Sequence, residues 1–228
     1  ETWFRLGDLD MATHLRRTEL LAGGASLSEA TAAIASSLGV AHAIVPMTDD
    51  PVRTVAVTDE GELAFQTYFV KRSCEPRIRS VRFDGCDAAR PSPGFIGAIR
   101  SADAIVFCPS NPIVSIGPVL ALPGVQAAIE TFTGPRIAVS PIVGGRALKG
   151  PAAKMMAELG EEVSSVGVAR RLISVCDTLV VDTEDAAHAE NIEALGMHAL
   201  VTSTVMVGVA DKERLAAEIL QLVVGRDG

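Results

Sequence analysis

Three stretches of the 228-residue chain concentrate side chains suited to holding an anion. The first is Pro109-Ser110-Asn111-Pro112-Ile113-Val114-Ser115-Ile116-Gly117-Pro118, which follows a short apolar run. Its prolines restrain the backbone, and Ser110, Asn111 and Ser115 offer short hydrogen-bonding side chains. Free N–H groups at the start of a following helix would add positive potential, so the combination suits a phosphate. The alternative is an ordinary turn in which Ser and Asn cap a helix. The second stretch runs from Ser140 to Lys154. Gly144 and Gly145 permit close backbone approach there, while Arg146, Lys149 and Lys154 gather positive charge. A nucleotide phosphate or base could lie against this loop; the alternative is a mobile hinge with solvated lysines. Neither a GxxxxGKS/T loop nor a GxGxxG fingerprint occurs.

The third stretch, Trp3 to Leu15, sets Arg5, Asp8 and His14 among apolar neighbours. Either these three converge on one pocket near a strand end, or Asp8 or Asp10 caps a helix with His14 on its face. One His with two carboxylates is not a metal signature. Cys74, Cys86, Cys108 and Cys176 form no CxxC pair and no zinc-type cluster, and none sits in an evident nucleophile setting. Asp49-Asp50, before Pro51, reads as loop.

These residues need a scaffold, and the hydrophobic pattern supplies one. Met11, Leu15, Leu20 and Leu21 predict a helix stopped at Gly23-Gly24. Ser26-Leu27-Ser28-Glu29 is a capping box opening a second helix with Ala30, Ala33, Ile34 and Leu38 on its face. Strands are predicted at 43–46, 54–58 and 63–70, the last two as a hairpin, and again at 78–83. Then come continuous apolar strands at 104–108, 136–140, 178–182 and 197–202, the pattern of a sheet buried on both faces. Helical segments at 125–131, 152–159, 166–175 and 186–195 lie between them, and a last helix capped by Asp211 carries Leu215, Ile219, Leu222 and Val223. Such alternation predicts a doubly wound α/β sheet, in which ligands bind beyond the carboxyl ends of the strands.

Composition narrows the function classes. Forty-eight per cent hydrophobic residues and a mean hydropathy of +0.32 exclude general disorder. No apolar run reaches the ~18 residues of a membrane span, since Ile105 to Leu122 is interrupted by three prolines. A net charge of −8 and 4% aromatic content argue against a nucleic-acid surface, so an anionic ligand must be small and held locally. The scattered cysteines favour a reducing, cytoplasmic compartment. The opening Glu1-Thr2-Trp3-Phe4, without Met, suggests that the natural N-terminus lies upstream.

Taken together, three blocks resemble the family of 2-phospho-L-lactate transferases of coenzyme F420 biosynthesis: Thr2 to Leu15, Phe107 to Pro118, and Ser140 to Lys154. They occur in the family's order, and the resemblance covers essentially the whole chain. It implies a Rossmann-like, mostly parallel core with a small helical subdomain, working as a homodimer. The α/β core is then expected at about 40–143 and 176–228, with helical contributions from about 8–39 and 145–175. The family moves a 2-phospholactyl group, or a phosphoenolpyruvyl group in actinobacterial members, from a guanosine diphosphate ester to the deazaflavin Fo, releasing GMP with the help of Mg2+. Carried onto this chain, the resemblance implies that Ser110, Asn111 and Ser115 hold phosphates and that Gly144, Gly145 and Lys149 serve the nucleotide. Arg5, Asp8 and His14 would face Fo. Fo's own hydroxyl is the nucleophile, so no catalytic side chain is implied. The family's Gly-rich loop and metal-binding aspartates are not in this sequence, and metal ligands are expected upstream of residue 1. A related fold, the nucleotide-sugar-binding regulators of the gluconeogenesis-factor type, shares the Ser-Asn-Pro loop but needs no Fo pocket; the Gly7-Asp8 to Thr13-His14 block favours the transferase.

Overall fold

The chain begins with a helical pair in this computed structural model, which describes residues 3–224. Helix α1 (Asp8–Ala22) starts at Gly7 without a side-chain cap, so neither Asp8 nor Asp10 closes it; both sit in its first turn, where the helix dipole favours them. Helix α2 (Leu27–Ser37) carries the expected capping box, with Ser26 and Glu29 bonding reciprocally. Helix α1 buries no residue and leaves Leu9 and Leu15 exposed.

An antiparallel sheet follows, in the order β2-β1-β3, from β1 (Arg53–Thr58), β2 (Gly61–Ala64) and β3 (Ile78–Asp84). Two sequence expectations change here. The strand predicted at 63–70 stops at Ala64, and Thr67–Lys71 winds into a π-helical turn that buries Tyr68. Segment 43–46 forms no strand, because no neighbouring backbone offers it a ladder among the described residues. The adjacent Asp49 and Asp50 accept from the N–H groups of Ser28 and Arg90, which makes them loop ties.

Helix α3 (Pro93–Ser101), capped by Ser92, leads into the parallel sheet. Its strands are β4 (Ile105–Phe107), β5 (Arg136–Val139), β8 (Thr178–Val181) and β9 (His198–Val201), in that order and all parallel. Between β4 and β5 lie a π-helical turn (Pro112–Ile116), α4 (Gly117–Ala121) and α5 (Val125–Glu130). Between β5 and β8 come the hairpin β6 (Ile142–Val143) and β7 (Arg146–Ala147), then α6 (Ala152–Glu158) and α7 (Ser165–Leu172). A 3-10 turn (Thr183–His188) and α8 (Ala189–Ala194) join β8 to β9, and α9 (Val209–Val224) closes the described chain.

Alternation along the parallel strands builds two apolar layers, as the pleat requires. Ala138, Leu179 and Val181 point into the main core, where Met155, Met156 and Val168 of α6 and α7 meet Ala56, Tyr68 and Ile78 of the antiparallel region. Ile137, Val139 and Val180 point the other way, onto Leu215 and Ile219 of α9. The sheet is covered on both faces, which is the doubly wound α/β arrangement read from the pattern. No helix among the described residues is long and apolar enough to cross a membrane.

Candidate anion site at the carboxyl ends of the parallel strands

The loops leaving β4, β5 and β9 meet around a cavity of about 380 Å3. From the β4 side come Pro109 and Asn111, from the β5 side Ser140, and from beyond β9 Thr204. Lys149, ahead of α6, and Lys212, in the first turn of α9, complete its polar lining. Its remaining walls are apolar, with Pro141, Leu148 and Met206 among them.

Most of the neutral polar groups are already engaged by the protein. The Asn111 carbonyl oxygen accepts from the N–H groups of Ile113 (2.9 Å) and Val114 (3.3 Å), capping the π-helical turn. Ser140, buried, donates its hydroxyl to the Ile142 carbonyl (2.9 Å) and accepts from the Ile142 N–H (3.2 Å). Thr204 donates to Asp182. What stays available is charge. Of the chain's four lysines, Lys154 pairs with Glu158 and Lys71 lies 5.8 Å from the Trp3 ring centroid. Lys149 and Lys212 have no carboxylate partner among the described residues, and both line this one cavity, which no carboxylate lines. Two unpaired ammonium groups beside the positive end of α9 can neutralise and orient a multiply charged anion.

Asp182, at the carboxyl end of β8, stands just behind. Burial alone would raise its carboxyl, but hydrogen bonds from the Glu184 N–H, from the Thr204 N–H and hydroxyl, and from Thr183 outweigh it and hold the group below its ordinary value. A larger groove of about 660 Å3 runs between α2 and segment 40–46, away from the strand ends. Its lining mixes alanine, valine and isoleucine with serines, His42, Glu29 and Asp49, and it brings no lysine or arginine to a ligand.

The sequence-selected residues therefore divide. Asn111 and Lys149 line the cavity; Ser110 and Ser115 are nearby in the chain but outside its lining. Gly144 and Gly145 form the two-residue tip of the β6–β7 hairpin, with φ of 55° and 71°. Positive φ at both tip residues is what such a tight hairpin requires. The Gly144 N–H points at Asp185, 3.2 Å from each carboxylate oxygen, so it is committed to a carboxylate. Arg5, Asp8 and His14 are all exposed and outside the cavity; the His14 Nδ1 is 2.7 Å from an Arg17 guanidinium nitrogen. Sequence reasoning missed Lys212 and Thr204 as lining residues and Asp182 as their neighbour. The signal for Asp182 was present, since a carboxylate ending the apolar strand 178–182 must sit at the ligand-binding edge of a parallel sheet. Lys212 carried none, because it reads as a solvated helix lysine.

Fold and cavity define an α/β protein with a lysine-bearing cavity at the carboxyl edge of its parallel sheet, a place suited to a small anion. A family model described as 2-phospho-L-lactate transferase CofD matches residues 2–202. The chain belongs to that family of transferases. The 2-phospho-L-lactate transferase of Methanosarcina mazei is 38% identical over 221 residues, covering 97% of this chain and 72% of that protein. The phosphoenolpyruvate transferase of Streptomyces griseus is 40% identical over 225 residues, covering 96% and 71%. Among solved structures, a Bacillus halodurans protein described as a member of the upf0052 family superposes with a TM-score of 0.61 at 18% identity, covering 89% of this chain and 69% of that one. That likeness bears on the fold alone.

Proposed function

We propose that the chain moves a 2-phospholactyl or phosphoenolpyruvyl group from a guanosine diphosphate ester to the deazaflavin Fo, with release of GMP. Family membership supports the reaction class. The observation that carries the placement is the pair of unpaired lysines, Lys149 and Lys212, in one strand-end cavity of an acidic protein. In this reading the donor's diphosphate lies between them, with Asn111 fixing the loop beneath. Ser110, Ser115, Gly144 and Gly145 are carried as donor-side residues by the resemblance, and Arg5, Asp8 and His14 as residues facing Fo.

The chemistry is a displacement at phosphorus. A terminal hydroxyl of Fo forms the new O–P bond, the bond to the bridging oxygen breaks so that GMP leaves with that oxygen, and the hydroxyl proton passes to water. Such a step depends on alignment and on neutralising phosphate oxygens more than on a protein nucleophile. The resemblance brings Mg2+, but no cluster of three metal-ligating side chains occurs among the described residues, and no carboxylate lines the cavity. The described residues do not form a magnesium site. A cytoplasmic homodimer remains part of the proposal.

Purified protein incubated with Fo, the guanosine donor and magnesium chloride should yield GMP and a phosphodiester of Fo, read by mass spectrometry. The two possible products differ by two hydrogens, so the same spectrum assigns the donor. Absence of both GMP and a new Fo species would sink the reading.

A further inference from the structure

The segment from Thr202 to Gly208, between β9 and α9, has no regular secondary structure yet supplies Thr204, Val205 and Met206 to the cavity wall. An irregular loop must satisfy its polar backbone by other means. Here side chains do it. Glu218 accepts from the Thr202 hydroxyl (2.6 Å), Arg214 donates to the Ser203 carbonyl (2.6 Å), and Asp211 accepts from the N–H groups of Val207 and Gly208. Only one of the four anchoring residues is buried: Asp182, 4% exposed.

Asp182 holds two loops with one carboxylate. Its Oδ2 accepts from the Thr204 N–H at 2.7 Å and from the Thr204 hydroxyl at 3.1 Å. Its Oδ1 accepts from the Glu184 N–H (3.1 Å) and the Thr183 hydroxyl (3.2 Å) at the start of the 3-10 turn after β8. Thr204 is itself buried, so its N–H has no water to turn to if Asp182 is removed. Asparagine is no substitute, because its amide would set N–H donors against one of the two N–H groups that the carboxylate now receives.

We propose that Asp182 is a positioning residue for donor binding: through Thr204 it fixes the Thr204–Met206 wall against which the nucleotide lies. This rests on the reading that the cavity holds the donor. Two measurements separate the claims. In ligand-free protein, hydrogen exchange of peptides covering 202–208 should be accelerated at least tenfold in Asp182→Asn, with exchange in α6 and α7 unchanged. By titration calorimetry with GDP as probe, Asp182→Asn should bind about tenfold more weakly than wild type, Thr204→Val about threefold, and Thr204→Ser as wild type. The KM for Fo should not move. Should Asp182→Asn fail to fold, the Thr204 variants decide: Thr204→Val with wild-type GDP affinity and wild-type loop exchange overturns the proposal. A folded Asp182→Asn with unaltered exchange at 202–208 overturns it as well, whether or not GDP binds. Wild-type protein that ignores GDP, with the loop nonetheless loosened in Asp182→Asn, instead counts against the donor reading and leaves the anchoring role standing.

Discussion

Asn111 faces the cavity yet commits its carbonyl oxygen to its own backbone, and the two roles can be pulled apart by substitution. Asn111→Ala removes the cap and should lower stability by about 1 kcal/mol. It should also weaken donor use by ~1–3 kcal/mol as the loop loses its shape. Asn111→Asp keeps an oxygen for Ile113 and Val114 and should melt within about 0.5 kcal/mol of wild type. Its added negative charge opposes the Lys149–Lys212 pair, so it should raise donor KM as much as the alanine does. Thermal melts and donor titrations of both variants test this; an aspartate variant with wild-type donor KM would remove the anion from that wall. Legibility at this scale follows the same division. Sequence could select Asn111 because a short hydrogen-bonding side chain in a proline-restrained loop is a feature of one local stretch of chain. It could not say that Thr204 and Asp182, 22 residues apart, share a bond, since that depends on β8 and β9 lying side by side.

Elements were most legible where burial enforces a pattern. The four parallel strands carry apolar side chains to two cores, and their positions in the sequence hold to within a residue or so. Segments 43–46 and 63–70 misled because strand-like composition forms a strand only beside a partner; Tyr68 instead gains full burial by winding into a π-helical turn. Two helical glycines show the same contrast between local preference and packing. Gly97 sits on the exposed side of α3, where an added Cβ meets nothing within 4 Å. Gly97→Ala should therefore stabilise by about 0.5–1 kcal/mol through helix propensity. Gly167 lies buried in α7, where a Cβ would fall 1.9 Å from the Glu162 carbonyl oxygen and 3.0 Å from Met156 Cε. Gly167→Ala should cost about 3 kcal/mol or more, because backbone must shift to admit one carbon. Denaturant titrations that rank the two variants the other way would mean that α7 is less tightly seated than its contacts indicate.

Across the whole molecule, the shifted carboxyl and thiol groups make the fold most stable near neutral pH and weaken it toward both acid and alkali. Glu29, Glu62, Asp84, Glu162, Asp182, Asp211 and Glu218 are all held below their ordinary carboxyl values. The causes differ: the Ser26 N–H for Glu29, Arg82 for Glu62 and Asp84, Ser164 for Glu162, the Gly208 N–H for Asp211 and Thr202 for Glu218, while at Asp182 hydrogen bonds overcome burial. A depressed carboxyl stabilises the fold above its unfolded value, roughly pH 4, and that contribution is lost as pH falls through the folded value. Unfolding in acid must then take up protons, so the melting temperature should drop as pH goes from about 5 to 3. At the other end, burial pushes the Cys176 thiol up to about 12. Folded and unfolded chains both keep that proton below the ordinary thiol value. Above roughly pH 8.5 the unfolded chain releases it while the fold retains it, so stability declines with rising pH. The melting temperature should accordingly plateau from about pH 5 to 8.5 and fall on either side. Cys176→Ser should make the alkaline limb shallower without removing it, because burial raises the Cys74 and Cys86 thiols as well, and its own stability is lower throughout because a hydroxyl is buried in place of a thiol. Salt should shrink the acid limb only in part, since it screens the Arg82 pairs of Glu62 and Asp84 but not the neutral hydrogen bonds that hold Glu29, Asp182 and Asp211. An acid limb erased entirely by ~0.5 M salt would mean that screened ion pairs carry the whole effect and that the hydrogen-bonded carboxylates, Asp182 among them, contribute nothing to it.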